Sequence, residues 1–562
     1  MRSALVLSFM GGGSRSDGEI PSRCVTVIYF PAFLRQHRTI ASASLRRPER
    51  RDPMGFRTGR FVQKGTEEVR KNWQFLLLTI HKNSDSILWN LNKGGCDMPN
   101  SKTRSMTSGA PMGLLLSFML PLLLGLLFQQ FYNMVDTVVV GKALGVDALA
   151  GVGSTGSISF LVLGLCNGIC AGFAIPVAQK FGSRDFDGVR KYVGNMVLLT
   201  AVLALGITLL TTVNCRRILI WMRNPEDTFA YAYNYIFLIF LGIPATMLYN
   251  LLSGILRSLG DSRTPLYFLV FSSLLNVVLD IFLIVKFHMG VAGAGWATLF
   301  SQLVSGVLCL VYMAKNFPIL HLTRADLIPE GKYIGHLLAM GLPMGLQYSI
   351  TAIGSIMLQT SVNTLGSSYM AAMTAGGKVS NFVMCPFDAM GSTITTFAGQ
   401  NVGAGKPERV RTGVRDATIL GIAYCILMFA VLYSCGGALT SLFLDPNDLT
   451  AMSEILPLSE QCLRVCATFY IPLLFVYLLR FTIQGLGYSS LAVMAGVFEM
   501  VARGTFALLL VPSLGFNAVC YASPAAWIMA DIFLFPAYFH CLKKQGCSFR
   551  RAPHLAAVKA DG

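Results

Sequence analysis

The sequence predicts an all-α integral membrane protein: twelve transmembrane helices in two pseudo-symmetric six-helix lobes. Three observations predict it. Of 562 residues, 54% are hydrophobic and only 13% charged, with a mean hydropathy of +0.58, whereas soluble domains carry roughly 25% charged residues. From about residue 112 onward, apolar runs long enough to cross about 30 Å of hydrocarbon recur. The second half of this region repeats the first.

The apolar segments fall near 114–139, 147–178, 193–213, 229–256, 265–285 and 290–313, then 334–361, 369–399, 415–436, 460–486, 489–511 and 516–541. An even number of crossings puts both ends on one side, and Lys and Arg in short loops stay cytoplasmic. Loops on the side of the C-terminus, with the tail, carry 18 basic residues, among them Lys180, Arg184, Arg257, Arg263, Arg324, Lys406, Arg409 and Lys543. The opposite loops carry five: Lys142, Arg216, Arg217, Arg223 and Lys286. Both termini are therefore expected inside.

The repeat is legible by eye. "LPLLLGLLFQQ" at 120–130 returns as "LPMGLQYSITA" at 342–352. Gln179, Gly182 and Arg190 pair with Gln400, Gly403 and Arg411 at a constant offset of 221. "IPATMLYNLLSGILRSLGDS" at 243–262 faces "IPLLFVYLLRFTIQGLGYS" at 471–489 with a one-residue slip. Six crossings return the chain to its starting side, so both halves run the same way and leave a cleft between them, the usual place for a substrate site in repeat-built transporters. The boundaries are set at 106–325 and 326–545, with a cytoplasmic tail over 546–562.

The net charge of +17 does not indicate nucleic acid as a partner. Residues 1–105 alone hold 18 Lys and Arg against 8 Asp and Glu; elsewhere the charges sit mostly between spans rather than on one folded face. This first stretch, with Arg-rich runs such as "LRRPERRDP", lacks a span and is expected to be a disordered or spurious extension, with Met98 or Met106 as a natural start. The 14 cysteines show no metal spacing, and Cys166 and Cys170 are expected as small core residues.

The segments "LPLLLGLLFQQFYNMVDTVVVGKALG", "PVAQKFGSRD", "LRSLGDSRTP" and "NVVLDIFLI…GVAGAGWAT" resemble the multidrug and toxic compound extrusion (MATE) family, over residues 106–545. The resemblance implies twelve helices in two lobes and export of small organic cations or drugs in exchange for H+ or Na+. It places the chain in a bacterial plasma (inner) membrane as a multi-pass monomer among lipid, with no organic cofactor.

A carboxylate inside a span is a functional hypothesis by default. Asp136 lies late in the first helix and Asp280 late in the fifth; Asn276, four residues before Asp280, shares its face. Thr298 falls about two turns into the sixth helix and Tyr235 near the start of the fourth. Five oxygen-bearing side chains thus reach a similar depth, a set suited to a proton or a small hard cation. The DinF-like branch of the family is similar here: an Asp on the first helix, Asn-x-x-x-Asp on the fifth, Thr on the sixth and Tyr on the fourth. That likeness implies cation coupling at Asp136, Asn276, Asp280 and Thr298 beside Tyr235, with Na+ there the sole metal anticipated. Where the vibrio-type branch has a Glu in the seventh helix this chain has Thr351, and the tenth helix carries Arg480 rather than an acid, which concentrates coupling in the first lobe. Pro121 removes a backbone bond within the first helix and favours a bend. Glu499 and Arg503 are spaced to neutralise each other, while Asp388 and Asp531 have no assigned role.

Two rival readings remain. A flippase for a lipid-linked oligosaccharide or lipid shares this architecture but calls for more cationic side chains than Lys378, Arg464, Arg480 and Arg503 supply. A membrane-embedded enzyme needs a nucleophile with its base, or metal ligands within the spans, and none of the seven histidines sits well inside a span at ligand spacing.

Overall fold

The computed structural model describes residues 103–222, 224–444 and 451–547. The expected N-terminal extension, except its last three residues, and nearly all of the expected tail lie outside the described residues. Every regular element among the described residues is a helix, with no strand among them.

Nine long apolar helices are straightforward spans: α1 Pro111–Leu144, α2 Asp147–Gly182, α3 Phe186–Trp221, α5 Arg263–Lys286, α6 Val291–Asn316, α7 Gly331–Asn363, α9 Pro407–Ser441, α11 Ser489–Leu514 and α12 Phe516–Lys544. Two more are bent. In α4, Glu226–Leu241 meets Ile243–Ser258 at 45°, and in α10, Met452–Thr468 meets Tyr470–Gly485 at 56°. Each break precedes a Pro, Pro244 or Pro472, whose ring and missing N–H interrupt the ladder. The twelfth span, α8 Ser367–Gly403, is 37 residues long and more polar, with Lys378 and Asp388 in its body. Its polarity is affordable because its side chains face protein on most sides. By contrast, α3 exposes Val202, Leu205, Leu209, Leu210 and Val213 at 65–71% each, a stripe that only hydrocarbon can solvate.

Two cores correspond to the two halves. One gathers Phe173, Met196, Phe240 and Leu252 with neighbours on α2, α3, α4 and α6. The other gathers Phe387, Phe397, Tyr470 and Trp527 on α8, α10 and α12, and draws in Leu114, Phe118 and Leu122 from α1. Helix α1 therefore begins against the second half, while Gly125 farther along meets Leu269 and Leu266 of α5. Between the halves, α2 and α7 cross through small residues: a methyl group on Gly172 would come within 2.6 Å of the Gly341 Cα, and one on Gly168 within 2.8 Å of the Gly345 Cα. Such surfaces let backbones approach closely where apolar burial gives no net drive.

At the end bearing the basic loops, the repeat becomes a reciprocal latch. Gln179 of α2 donates Nε2 to the Gly485 carbonyl of α10 at 3.1 Å, and Gln400 of α8 donates Nε2 to the Ser258 carbonyl of α4 at 2.9 Å. Gly182 packs on the Gln400 backbone and Gly403 on the Gln179 backbone, leaving no room for a side chain at either. The segment before α1 braces the same place. Gln400 Oε1 accepts the Met106 N–H at 2.8 Å, Asn401 donates to the Met106 carbonyl at 3.2 Å, and the Arg104 N–H reaches the Leu259 carbonyl at 3.2 Å.

Candidate functional site

At the opposite end, the first lobe places two acids together. Asp136 sits two turns before the end of α1, and Asp280 closes the α-helical part of α5, after which Ile281–Lys286 widens into a π turn. π turns frequently mark functional positions. The two carboxyl groups are close enough to interact directly. Asp280 is fully buried, Asp136 half-buried, and the Oδ1 of each is enclosed without a hydrogen-bond partner.

Asn276 holds Asp280 from one turn below. Oriented so that both ends of its amide are satisfied, it donates to Asp280 Oδ2 at 3.2 Å and accepts from the Thr298 N–H at 3.2 Å. The Thr298 Oγ1 lies 3.4 Å from the same amide. Tyr235 of α4 packs on the small cluster of Val140, Ile284 and Ala294 that closes this end, and stands in the field of both carboxylates. Asp136, Asn276, Asp280, Thr298 and Tyr235 thus lie near one another at this end of the first lobe.

A sixth belongs with them. Tyr132, one turn before Asp136 on α1, stands in the field of both acids. Its spacing from Asp136 is the same four residues that singled out Asn276, so the signal was present in the sequence.

Two neighbouring carboxylates, each with one oxygen enclosed, repel strongly in a low-dielectric site unless a positive charge sits with them. The two partnerless carboxylate oxygens and the nearby Thr298 hydroxyl are oxygen donors of the kind that suits either a shared proton or a small hard cation, while the Asn276 amide holds Asp280 in place. Among the described residues, no group of three or more His, Cys, Asp or Glu is placed to hold a metal ion.

Pro121 lies buried inside α1, which runs as one helix through it, fifteen residues before Asp136. In the second lobe, Glu499 pairs with Arg503 at 3.4 Å, as its spacing suggested, and also with Arg480 of α10, an ion pair that spacing could not reveal. Arg257, counted in the sequence among loop cations, instead sits in the last turn of α4 and lines a narrow cleft between lobes with Ala174, Thr395 and Phe481. Cys166 and Cys170 are buried core residues.

The MatE family model matches residues 121–282 and 343–509, one match in each half. The chain is 29% identical to the Probable multidrug resistance protein YpnP of Bacillus subtilis, over 66% of this chain and 81% of that protein. It is 22% identical to the Multidrug export protein MepA of Staphylococcus aureus, over 68% of this chain and 84% of that protein. Among solved structures, the outward-facing conformation of a multidrug resistance MATE family transporter superimposes with a TM-score of 0.72 at 23% identity, covering 78% of this chain and 98% of that one.

Proposed function

The chain belongs to the MatE family of multi-pass transporters, and on that premise we propose that it is a secondary active antiporter that exports small organic molecules, organic cations foremost, in exchange for H+ or Na+. The meeting of Asp136 and Asp280 over Asn276 carries the reading. An ion entering there neutralises the pair; its departure restores the repulsion. The curated relatives are named for multidrug resistance or export, which supports drug-like cargo.

Coupling resides in Asp136, Asn276, Asp280 and Thr298, with Tyr235 and Tyr132 closing the pocket. The Asn-x-x-x-Asp pattern favours the DinF-like branch. The basic loops favour a bacterial plasma membrane with both termini cytoplasmic, so the glutamine latch closes the inner side and the acid pocket lies toward the outside. Since the two lobes already supply both walls of the cleft, the transporting unit is a single chain. Moving one charge through 100 mV supplies about 2.3 kcal/mol to drive the exchange. Pro121 gives α1 a place to bend when the charge at Asp136 changes.

The experiment is efflux of an organic-cation dye from proteoliposomes under an imposed pH or sodium gradient. Gradient-driven efflux is expected from the native chain and its loss from Asp280→Asn. Undiminished coupled efflux by that variant would overturn the assignment.

A further inference from the structure

The coupling scheme leaves one polar cluster unused. A cavity of about 420 Å³ lies among α7, α8, α10, α11 and α12 of the second lobe, within the size range of small-molecule sites. The charged residues on its wall are Arg480, Glu499 and Arg503, which are 8%, 3% and 8% exposed. Two guanidinium groups bring about ten N–H donors to one carboxylate able to accept about four. The imbalance is visible: Arg480 Nε is enclosed without a partner, and Arg503 Nη1 meets Glu499 Oε2 at 3.4 Å as an ion pair without hydrogen-bond geometry. Nearby acids do not correct it at the wall. Asp531 of α12 acts on Arg480 from outside the cavity lining and leaves its own Oδ1 unpartnered, and Asp388 of α8 lies beside Tyr477, likewise outside the lining.

The repeat shows that this lobe has a different electrostatic character from the first. At the offset of 222 that relates α1 to α7, Asp136 corresponds to Leu358. The matched turn glycines Gly290 and Gly515, at φ 61° and 60°, set an offset of 225 between α5 and α11, so Asp280 corresponds to Thr505. Neither acid recurs. Trp527 and Tyr477 line the same cavity with flat aromatic faces.

We propose that this cavity binds the acidic group of an exported aromatic organic acid, a carboxylate or phosphate held between Arg480 and Arg503, with the ring against Trp527 and Tyr477. A planar guanidinium fork matches either oxyanion in bidentate geometry, and Glu499 pairs with both forks and fixes their positions. The inference rests on the transporter reading and extends its cargo from cations to molecules that also carry an acid.

The test uses the full chain in proteoliposomes and two matched probe pairs: a xanthene dye as its free carboxylic acid and as its methyl ester, and riboflavin monophosphate beside riboflavin. Dye binding to the purified protein and export are both measured. The native chain is expected to favour at least one acid over its twin that lacks the acidic group. Arg503→Gln should reduce that preference at least tenfold, Arg503→Lys should recover part of it, and Glu499→Gln should increase it. The pair that responds tells carboxylate from phosphate. Because each reading is a ratio within one variant, a general loss of folded protein cancels. Equal losses for acid and twin in Arg503→Gln, or no preference for either acid by the native chain, would overturn the proposal. Coupled export of the methyl ester, and its loss in Asp280→Asn, report on the antiport reading independently.

Discussion

Phe131 of α1 and Phe382 of α8 meet edge to face, ring centres 5.3 Å apart. Phe131 lies five residues before Asp136, and Phe382 follows Asn381 on the wall of the arginine cavity. The ring pair therefore joins the element carrying the first lobe's acid to the rim of the second lobe's pocket. Aromatic pairs of this geometry contribute about 0.5–1.5 kcal/mol beyond the area they bury. A double-mutant cycle of Phe131→Ala and Phe382→Ala, read by thermal unfolding in detergent, should return a coupling energy in that range.

Tyr132 should matter to ion affinity more than to folding. Tyr132→Phe removes one hydroxyl beside the two acids and keeps the ring, so the unfolding midpoint should stay close to that of the native chain. The ion concentration that half-saturates coupled efflux should rise severalfold, in line with the contribution of about 0.5–1.5 kcal/mol from one neutral hydroxyl. An unchanged half-saturation would remove Tyr132 from the pocket's working set.

The inner latch should be unequal in its two arms. Gln400 is fully buried and satisfies both the Met106 N–H and the Ser258 carbonyl, whereas Gln179 makes one bond, to the Gly485 carbonyl. Leaving a buried polar group unpaired costs about 1–3 kcal/mol. Gln400→Ala should therefore destabilise more than Gln179→Ala, and should raise labelling of a cysteine introduced at Ser258 by an impermeant thiol reagent applied from the cytoplasmic side.

Acid sensitivity should appear at the basic end. The Thr323 hydroxyl and N–H, at 2.7 and 2.8 Å, hold the Asp326 carboxyl below the usual range, helped by Arg190 and Lys191. A carboxyl lowered in the folded state contributes stability above its unfolded value of about 3.9 and loses it as pH falls through the folded value. The native unfolding midpoint should thus drop below about pH 4 more steeply than that of Asp326→Asn. Parallel curves for the two proteins would show that this turn contributes nothing to the acid limb.

What the sequence made legible follows from the range of each interaction. Spans are local: about twenty apolar residues declare themselves, and α8 is recognisable despite Lys378 and Asp388 because its length and flanking turns remain. Asn276 and Asp280 share a helix face by spacing alone, and a buried acid on α1 invites a partner. The Arg480–Glu499 pair was not legible, since it depends on how α10 and α11 are rotated against each other. Arg257 escaped for a related reason: hydropathy places the end of a helix within a few residues, and its last turn here faces the cleft rather than the loop.

The glutamine latch has a bearing on origins. Each half contains both a donor and the carbonyl that receives its counterpart: Gln179 with Ser258 in one, Gln400 with Gly485 in the other. Two copies of a single six-helix ancestor, related by a two-fold axis along the membrane normal, could form both bonds at once, as an isologous dimer contact does. Fusion of the copies into one chain then asks nothing new of the closure, and leaves the far ends of the duplicates free to drift apart in chemistry, one toward acids and one toward arginines.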